Sequence, residues 1–139
     1  MPDSVKDLYI EASNIFSDSP RGGSAILRMA LQHLIRHFGV QEKRLDHAIR
    51  ELAKRTDFNE YVVKAADAIK ITGNKAVHPG ELSDADIDEI GSKMFGLLNY
   101  LVRQGITEPK KISDIYEQLP DVPRKQAELK DANNKKTSE

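Results

Sequence analysis

The stretch ITGNKAVHPGE, residues 71–81, sets a glycine and an asparagine inside the last turns of a helical pattern, then a histidine directly before a proline. At about 100° per residue, Lys70, Asn74 and His78 recur every four positions, share about 80° of arc and so line one helix face. Gly73 lies within that run and costs about 1 kcal/mol relative to alanine in a helix interior. The usual physical reason to carry such a residue is the close approach of a neighbouring helix that a side chain would prevent, so the stretch points to packed helices. Pro79 disfavours helical geometry at the residue before it, which predicts that the helix finishes at His78. Asn74 is a poor helix former whose amide can cross-link a neighbouring element, and His78 near the negative end of the helix dipole is favoured when protonated. The face has two possible uses. In one, Gly73 admits a packed helix while Asn74 and His78 hydrogen-bond the next loop or the start of the preceding helix. In the other, Lys70, Asn74 and His78 gather a phosphate or act as general acid and base on RNA.

Outward from this stretch the chain reads as helices throughout. Upstream, a helix starting near Asn59 runs through Val62, Val63, Ala65, Ala66 and Ile69. Downstream, Ser83 followed by Asp86 resembles a capping box, and Ile87, Ile90, Met94, Leu97, Leu98 and Leu101 form an amphipathic helix from Asp84 to Gln104, closed by Gly105. The strongest core helix comes earlier: Ser24 is its expected cap, and Ile26, Leu27, Ala30, Leu31, Leu34, Ile35 and Phe38 form a broad apolar stripe. Gly39 is placed to end it in a left-handed conformation. Before it, Asp3 or Ser4 caps a first helix carrying Val5, Leu8, Tyr9, Ala12, Ile15 and Phe16, and residues 17–23 are a dense breaker cluster. A third helix, Glu42 to Lys54, shows only a narrow apolar edge of Leu45, Ala48, Ile49 and Leu52. No period-two alternation appears. The expected fold is all-α, an antiparallel bundle of about five helices over residues 1–105. Residues 106–120 are expected to hold a short helix at Ser113–Gln118, docked by Ile112, Ile115 and Tyr116, and residues 121–139 to form a polar tail, frayed or disordered.

With 139 residues the chain has room for one domain and one core. The absence of cysteine excludes disulfides, thiolate zinc sites and cysteine nucleophiles. His33 and His37 stand four apart, but no acid lies one turn away to complete a metal set, so neither a metal nor another cofactor is expected. The Pro20–Ser24 segment before a helix can cradle an anion, yet it lacks a phosphate-loop lysine and a preceding strand. No apolar run reaches the ~18 residues of a membrane helix. Met1-Pro2-Asp3-Ser4 has no secretory character, so a cytoplasmic location is expected. Net charge is −1, but from Arg21 to Arg55 there are eight Lys/Arg against three Asp/Glu, while Glu81, Asp84, Asp86, Asp88 and Glu89 come after the opening stretch. Such asymmetry describes a solvated surface, a phosphate-binding face or a means for two copies of the chain to dock.

The segments ILRMALQHLIRHFGV, RLDHAIREL and IKITGNKAVHPGELSDADIDEIGSKMFGLLNYLV, over about residues 19–103, resemble the domain-of-unknown-function family numbered 4145, a relative of the HEPN helical domains of bacterial defence, toxin and restriction proteins. The resemblance implies a HEPN-like all-helical bundle, found alone or fused to nucleases and helicases. Active HEPN ribonucleases carry an arginine, a polar residue, three to four variable residues and a histidine, contributed across a dimer. On this chain Asn74 and His78 match the polar and histidine positions, whereas Gly73 stands where the arginine belongs. Glycine cannot hold a scissile phosphate as a guanidinium does. Lys70 is one turn away and Arg28 points off its own apolar stripe toward the same region. The resemblance thus implies a non-catalytic domain that binds a partner, either a second copy as a homodimer or a nucleic-acid-processing protein. The alternatives are a metal-independent ribonuclease, with His78 as acid or base, Asn74 orienting it and Lys70 or Arg28 holding phosphate, and an RNA- or nucleotide-binding module without turnover.

Overall fold

The computed structural model describes residues 1–78 and 80–138. The described residues form seven α-helices and no strand: α1 (Asp3–Phe16), α2 (Pro20–His37), α3 (Leu45–Lys54), α4 (Glu60–Ala76), α5 (Asp84–Val102), α6 (Glu108–Glu117) and α7 (Asp121–Ser138). A π-helical turn, Arg103–Thr107, comes directly after α5. The chain divides into two compact units, Met1–Ile106 and Thr107–Glu139.

In the first unit α2 is the central element and touches α1, α3, α4 and α5. Its stripe explains why: Leu27, Ala30, Leu31 and Leu34 are wholly excluded from solvent. Ile69 and Ala66 of α4, Leu98 and Leu101 of α5 and Leu52 of α3 complete the same core. Edge-to-face aromatic pairs tie α1 to α5, with Phe95 5.3 Å from Tyr9 and 5.4 Å from Phe16, and the Asn99 amide donates to the Tyr9 hydroxyl at 3.1 Å. Gly39 ends α2 with φ +95°, the left-handed conformation expected of it. Asn59 and Ser83 cap α4 and α5, accepting from the backbone N–H groups of Val62 and Asp86.

Several boundaries differ from the expectation. α2 begins at Pro20, not after Ser24; Ser19 is its cap, accepting from Gly22 N at 3.0 Å, and Ser24 is buried inside the helix. Gly22 and Gly23 are helical because they are contact positions, not breakers: a Cβ on Gly23 would lie 2.7 Å from the Phe16 ring. α1 starts after Pro2 without a side-chain cap, so neither Asp3 nor Ser4 fills that role. Gly105 does not close α5 but lies in the π turn, where a Cβ would come within 2.3 Å of Phe38. α3 starts at Leu45 instead of Glu42.

In the second unit, residues 121–138 are helical, in the segment for which a polar, frayed or disordered end was expected. Arg124 organises the turn between α6 and α7 by pairing with Glu117 at 3.0 Å and Asp121 at 2.9 Å, while the Tyr116 hydroxyl donates to the Arg124 carbonyl at 3.0 Å. Within it, Ile112 and Ile115 are exposed (66% and 63%). No described helix is long and apolar enough to cross a membrane.

Candidate anion-binding site

The site is built where α4 crosses α2. Gly73 is buried, and the aliphatic stem of Arg28 lies directly on it: a Cβ at position 73 would sit 2.6 Å from Arg28 Cβ, 3.0 Å from Cδ and 3.2 Å from Cγ. The close approach inferred for Gly73 is therefore real, and the neighbour is an arginine side chain. Seating the stem there shields Arg28 Nε from solvent, and it has no hydrogen-bond partner among the described residues. A buried donor left without an acceptor costs about 1–3 kcal/mol, more when the group is charged.

Arg28 opens into a cleft of about 500 Å³ that it shares with Gln32, Lys43, Arg44, Leu45, Asp46, Lys70 and Asn74. Four cations thus face one acid. Asp46 is engaged by Arg50 and Arg44 at 3.3 and 3.4 Å, and Lys70 by Asp67 at 3.5 Å; Arg28 and Lys43 form no ion pair among the described residues. Desolvation of the Asp46 carboxyl raises its pKa, but Arg44, His47 and the N–H groups at the start of α3 more than offset this and hold it below the ordinary aspartate value. The one acid of the cleft is therefore ionised at neutral pH and turned onto α3. The Gln32 amide donates to the Lys43 carbonyl at 3.0 Å and fixes the strip of chain that carries Lys43 and Arg44.

That strip is also the wall of a second cavity of about 660 Å³, bordered by Gly39–Arg44, His47, Glu51 and Arg55. Here Arg55 is already committed: its guanidinium donates to the Phe38 carbonyl, binds Asp57 through Nε and Nη2 at 3.0 and 2.6 Å, and lies 5.0 Å from the Phe58 ring centroid.

Of the sequence candidates, Arg28, Lys70 and Asn74 come together, and Gly73 permits it. His78 does not join them. α4 ends at Ala76, two residues sooner than expected, so the four-residue spacing no longer holds at position 78, and His78 is exposed and outside the residues lining the cleft. Pro79, expected to end the helix, lies outside the described residues. Arg21 caps the early ending: its guanidinium donates to the Ala76 carbonyl at 3.0 Å and the Leu82 carbonyl at 2.9 Å and pairs with Asp84 at 3.0 Å. One side chain thereby satisfies a helix-end carbonyl and ties down the loop to α5. Nothing local in the sequence signals this, since its partners are 55 to 63 residues away. Gln32, Lys43 and Arg44 were legible only as members of the basic excess or its surroundings. His33 is half-buried and His37 exposed, and no group of three His, Asp or Glu among the described residues is arranged to hold a metal ion.

Fold and cleft together define an all-helical protein with a cationic recess between packed helices. The chain belongs to the family Domain of unknown function (DUF4145), whose model matches residues 10–132. The match runs from α1 into α7, beyond the 19–103 segment that carries the resemblance. Neither the search of curated proteins nor that of solved structures returned a match.

Proposed function

We propose that the protein is a non-catalytic, HEPN-like antiparallel helical module of the cytoplasm that binds a phosphate-bearing nucleic-acid partner in the α2–α4 cleft. The observation that supports this most is Arg28, whose aliphatic stem lies on Gly73 and which lines one cleft with Lys70, Lys43 and Asn74, its Nε buried without a partner. An arginine fork suits phosphate oxygens, and lysine adds a point charge beside it. The exposure of His78 away from these cations argues against the ribonuclease alternative, which needs acid–base and phosphate-holding groups around one atom. Binding of a labelled single-stranded RNA, monitored by anisotropy, tests the reading. Affinity should fall with added salt with a log–log slope of about −0.7 per phosphate engaged, and Arg28→Ala should weaken it at least tenfold. A salt-independent signal sinks the proposal. RNA cleavage in EDTA that is lost in His78→Ala would instead establish the enzyme.

A dimerisation role is favoured by a separate feature, an apolar groove of about 550 Å³ between α4 and α5 bordered by Tyr61, Ala65, Ala68, Leu97 and Tyr100. Tyr61 is 62% exposed there. Light scattering over a concentration series decides it: a second copy in this groove predicts a dimer that Leu97→Glu dissociates, and a monomer throughout excludes it.

A further inference from the structure

A glycine inside a helix is unfavourable relative to alanine, so what presses against it is a physical question at each position. For five helical glycines the chain itself supplies the neighbour: a Cβ on Gly22, Gly23, Gly73, Gly91 or Gly105 would come between 2.3 and 2.9 Å from another side chain. Gly96, inside α5, is exposed, and among the described residues a Cβ there meets nothing within 4 Å.

Gly96 lies on a seam. Glu89, Lys93, Gly96, Tyr100 and Arg103 follow at steps of four, three, four and three residues, the spacing with which one helix lays a single edge against another. Glu89, Lys93 and Arg103 are exposed, and Tyr100 is half-buried, where with Leu97 it borders the apolar groove beside α4. Charge is arranged symmetrically along this edge: a carboxylate seven residues before Gly96 and a guanidinium seven residues after it. A second α5 laid parallel would set Glu89 on Glu89 and Arg103 on Arg103. Laid antiparallel about Gly96, it sets each Glu89 against an arginine and each Lys93 against a Tyr100 ring, whose face attracts a cation. These charges are available for the exchange. Arg103 forms no ion pair among the described residues, and Glu89 holds only Lys93 at 3.8 Å, with both side chains at least 70% exposed, a contact of small worth.

Resting on the dimerisation reading above, we propose that α5 is the contact helix and that its occupant is a second copy of the chain: two α5 helices pair antiparallel, with the twofold axis passing at Gly96 and Glu89 facing Arg103 of the partner subunit at both ends of the seam. The missing side chain lets the two helices approach closely where they cross, and one self-complementary edge serves both copies.

The test is made on the full-length chain by light scattering over a concentration series. Gly96→Leu, opposed by no neighbour within the chain, should keep the circular dichroism spectrum and the urea midpoint of the dilute protein while raising the dimer Kd about tenfold or more. Glu89→Arg and Arg103→Glu should each set like charges across the seam and weaken the dimer about threefold or more, and the double variant should restore it. The chain has no cysteine, so thiol cross-linking reads the orientation directly. The double variant Glu89→Cys, Arg103→Cys should be joined into a dimer by a short bis-maleimide; within one helix these positions are ~21 Å apart, too far to be bridged by the same reagent, and Arg103→Cys alone should stay unlinked. A monomer at every concentration overturns both this pairing and the dimerisation reading. A dimer that Leu97→Glu dissociates but that withstands Gly96→Leu and is not joined through the cysteine pair overturns the α5 pairing and leaves the groove dimer standing.

Discussion

Replacing Gly73 by alanine isolates the contact on which the site is built. The new Cβ would stand 2.6 Å from Arg28 Cβ. Optimal carbon–carbon separation is about 3.5–4.0 Å, so α2 and α4 must part by roughly 1 Å at that point. Rotation of the arginine side chain moves Cγ and Cδ but not Cβ, which is fixed to the α2 backbone, so the strain falls on the helices. Overpacking of this kind costs about 1–3 kcal/mol, and alanine returns about 1 kcal/mol of helix propensity over glycine. The expected net effect is a destabilisation of about 0–2 kcal/mol. Gly96 supplies the control: it is helical and exposed, and a Cβ there would meet nothing within 4 Å, so Gly96→Ala should stabilise by up to ~1 kcal/mol from propensity alone. Urea denaturation monitored by far-ultraviolet circular dichroism reads both, and the gap between them, about 1–3 kcal/mol, is the packing cost by itself. In an Arg28→Gly background the obstructing Cβ is gone, and Gly73→Ala should then behave like Gly96→Ala. Equal effects of the two alanine substitutions in the wild-type chain would refute the proposed helix contact.

Arg21→Ala removes the donors to the Ala76 and Leu82 carbonyls and should lower stability by about 1–2 kcal/mol, with Arg21→Lys failing to rescue because one ammonium cannot span three acceptors; proteolysis within residues 77–83 should accelerate in both. The carboxyl of Asp57 is held low chiefly by the Arg55 hydrogen bond, against an opposing desolvation, and that of Asp46 is also lowered. For groups lowered in the folded state the stabilisation is complete above the unfolded aspartate value of about 3.9 and is lost as pH falls through the folded values. The urea midpoint should therefore fall on acidification below about pH 4, and Asp57→Asn should flatten that fall. Asp46→Asn removes the acid from the cleft and should tighten phosphate binding at neutral pH, whereas unchanged affinity would mean that its charge is fully absorbed by Arg44 and Arg50. His78→Ala should leave phosphate affinity unchanged, and a tenfold loss would return the histidine to the site.

Helix identity was readable wherever a stripe of apolar residues met one core, as in α2, α4 and α5, because burial on a single face forces the helical period. Ends were less readable, and the reason lies in glycine. Gly22, Gly23 and Gly105 looked like punctuation, yet in the fold they are places where Phe16, the Ser19 cap or Phe38 presses against a helix. A missing side chain serves backbone freedom at Gly39 and close packing at Gly73, and one sequence does not separate these uses. α7 was unreadable for a different reason: with few apolar residues it shows no stripe, and its helical state carries no periodic signature.

The site shows the same division. A shared face for Lys70 and Asn74 comes from spacing alone, but the cation that completes it arrives from α2, across a contact that only tertiary structure creates. An arginine at position 73 would project from α4 into the space now filled by the stem of Arg28. The end of α4 is capped by Arg21, which bridges the Ala76 and Leu82 carbonyls, and His78 beyond it is exposed. Two arginines on one helix thus differ in role: Arg28 adds its charge to the cleft, and Arg21 caps the end of α4 and ties down the loop that follows. On the proposed reading, the cleft holds the phosphate while His78, exposed and outside the lining, takes no part.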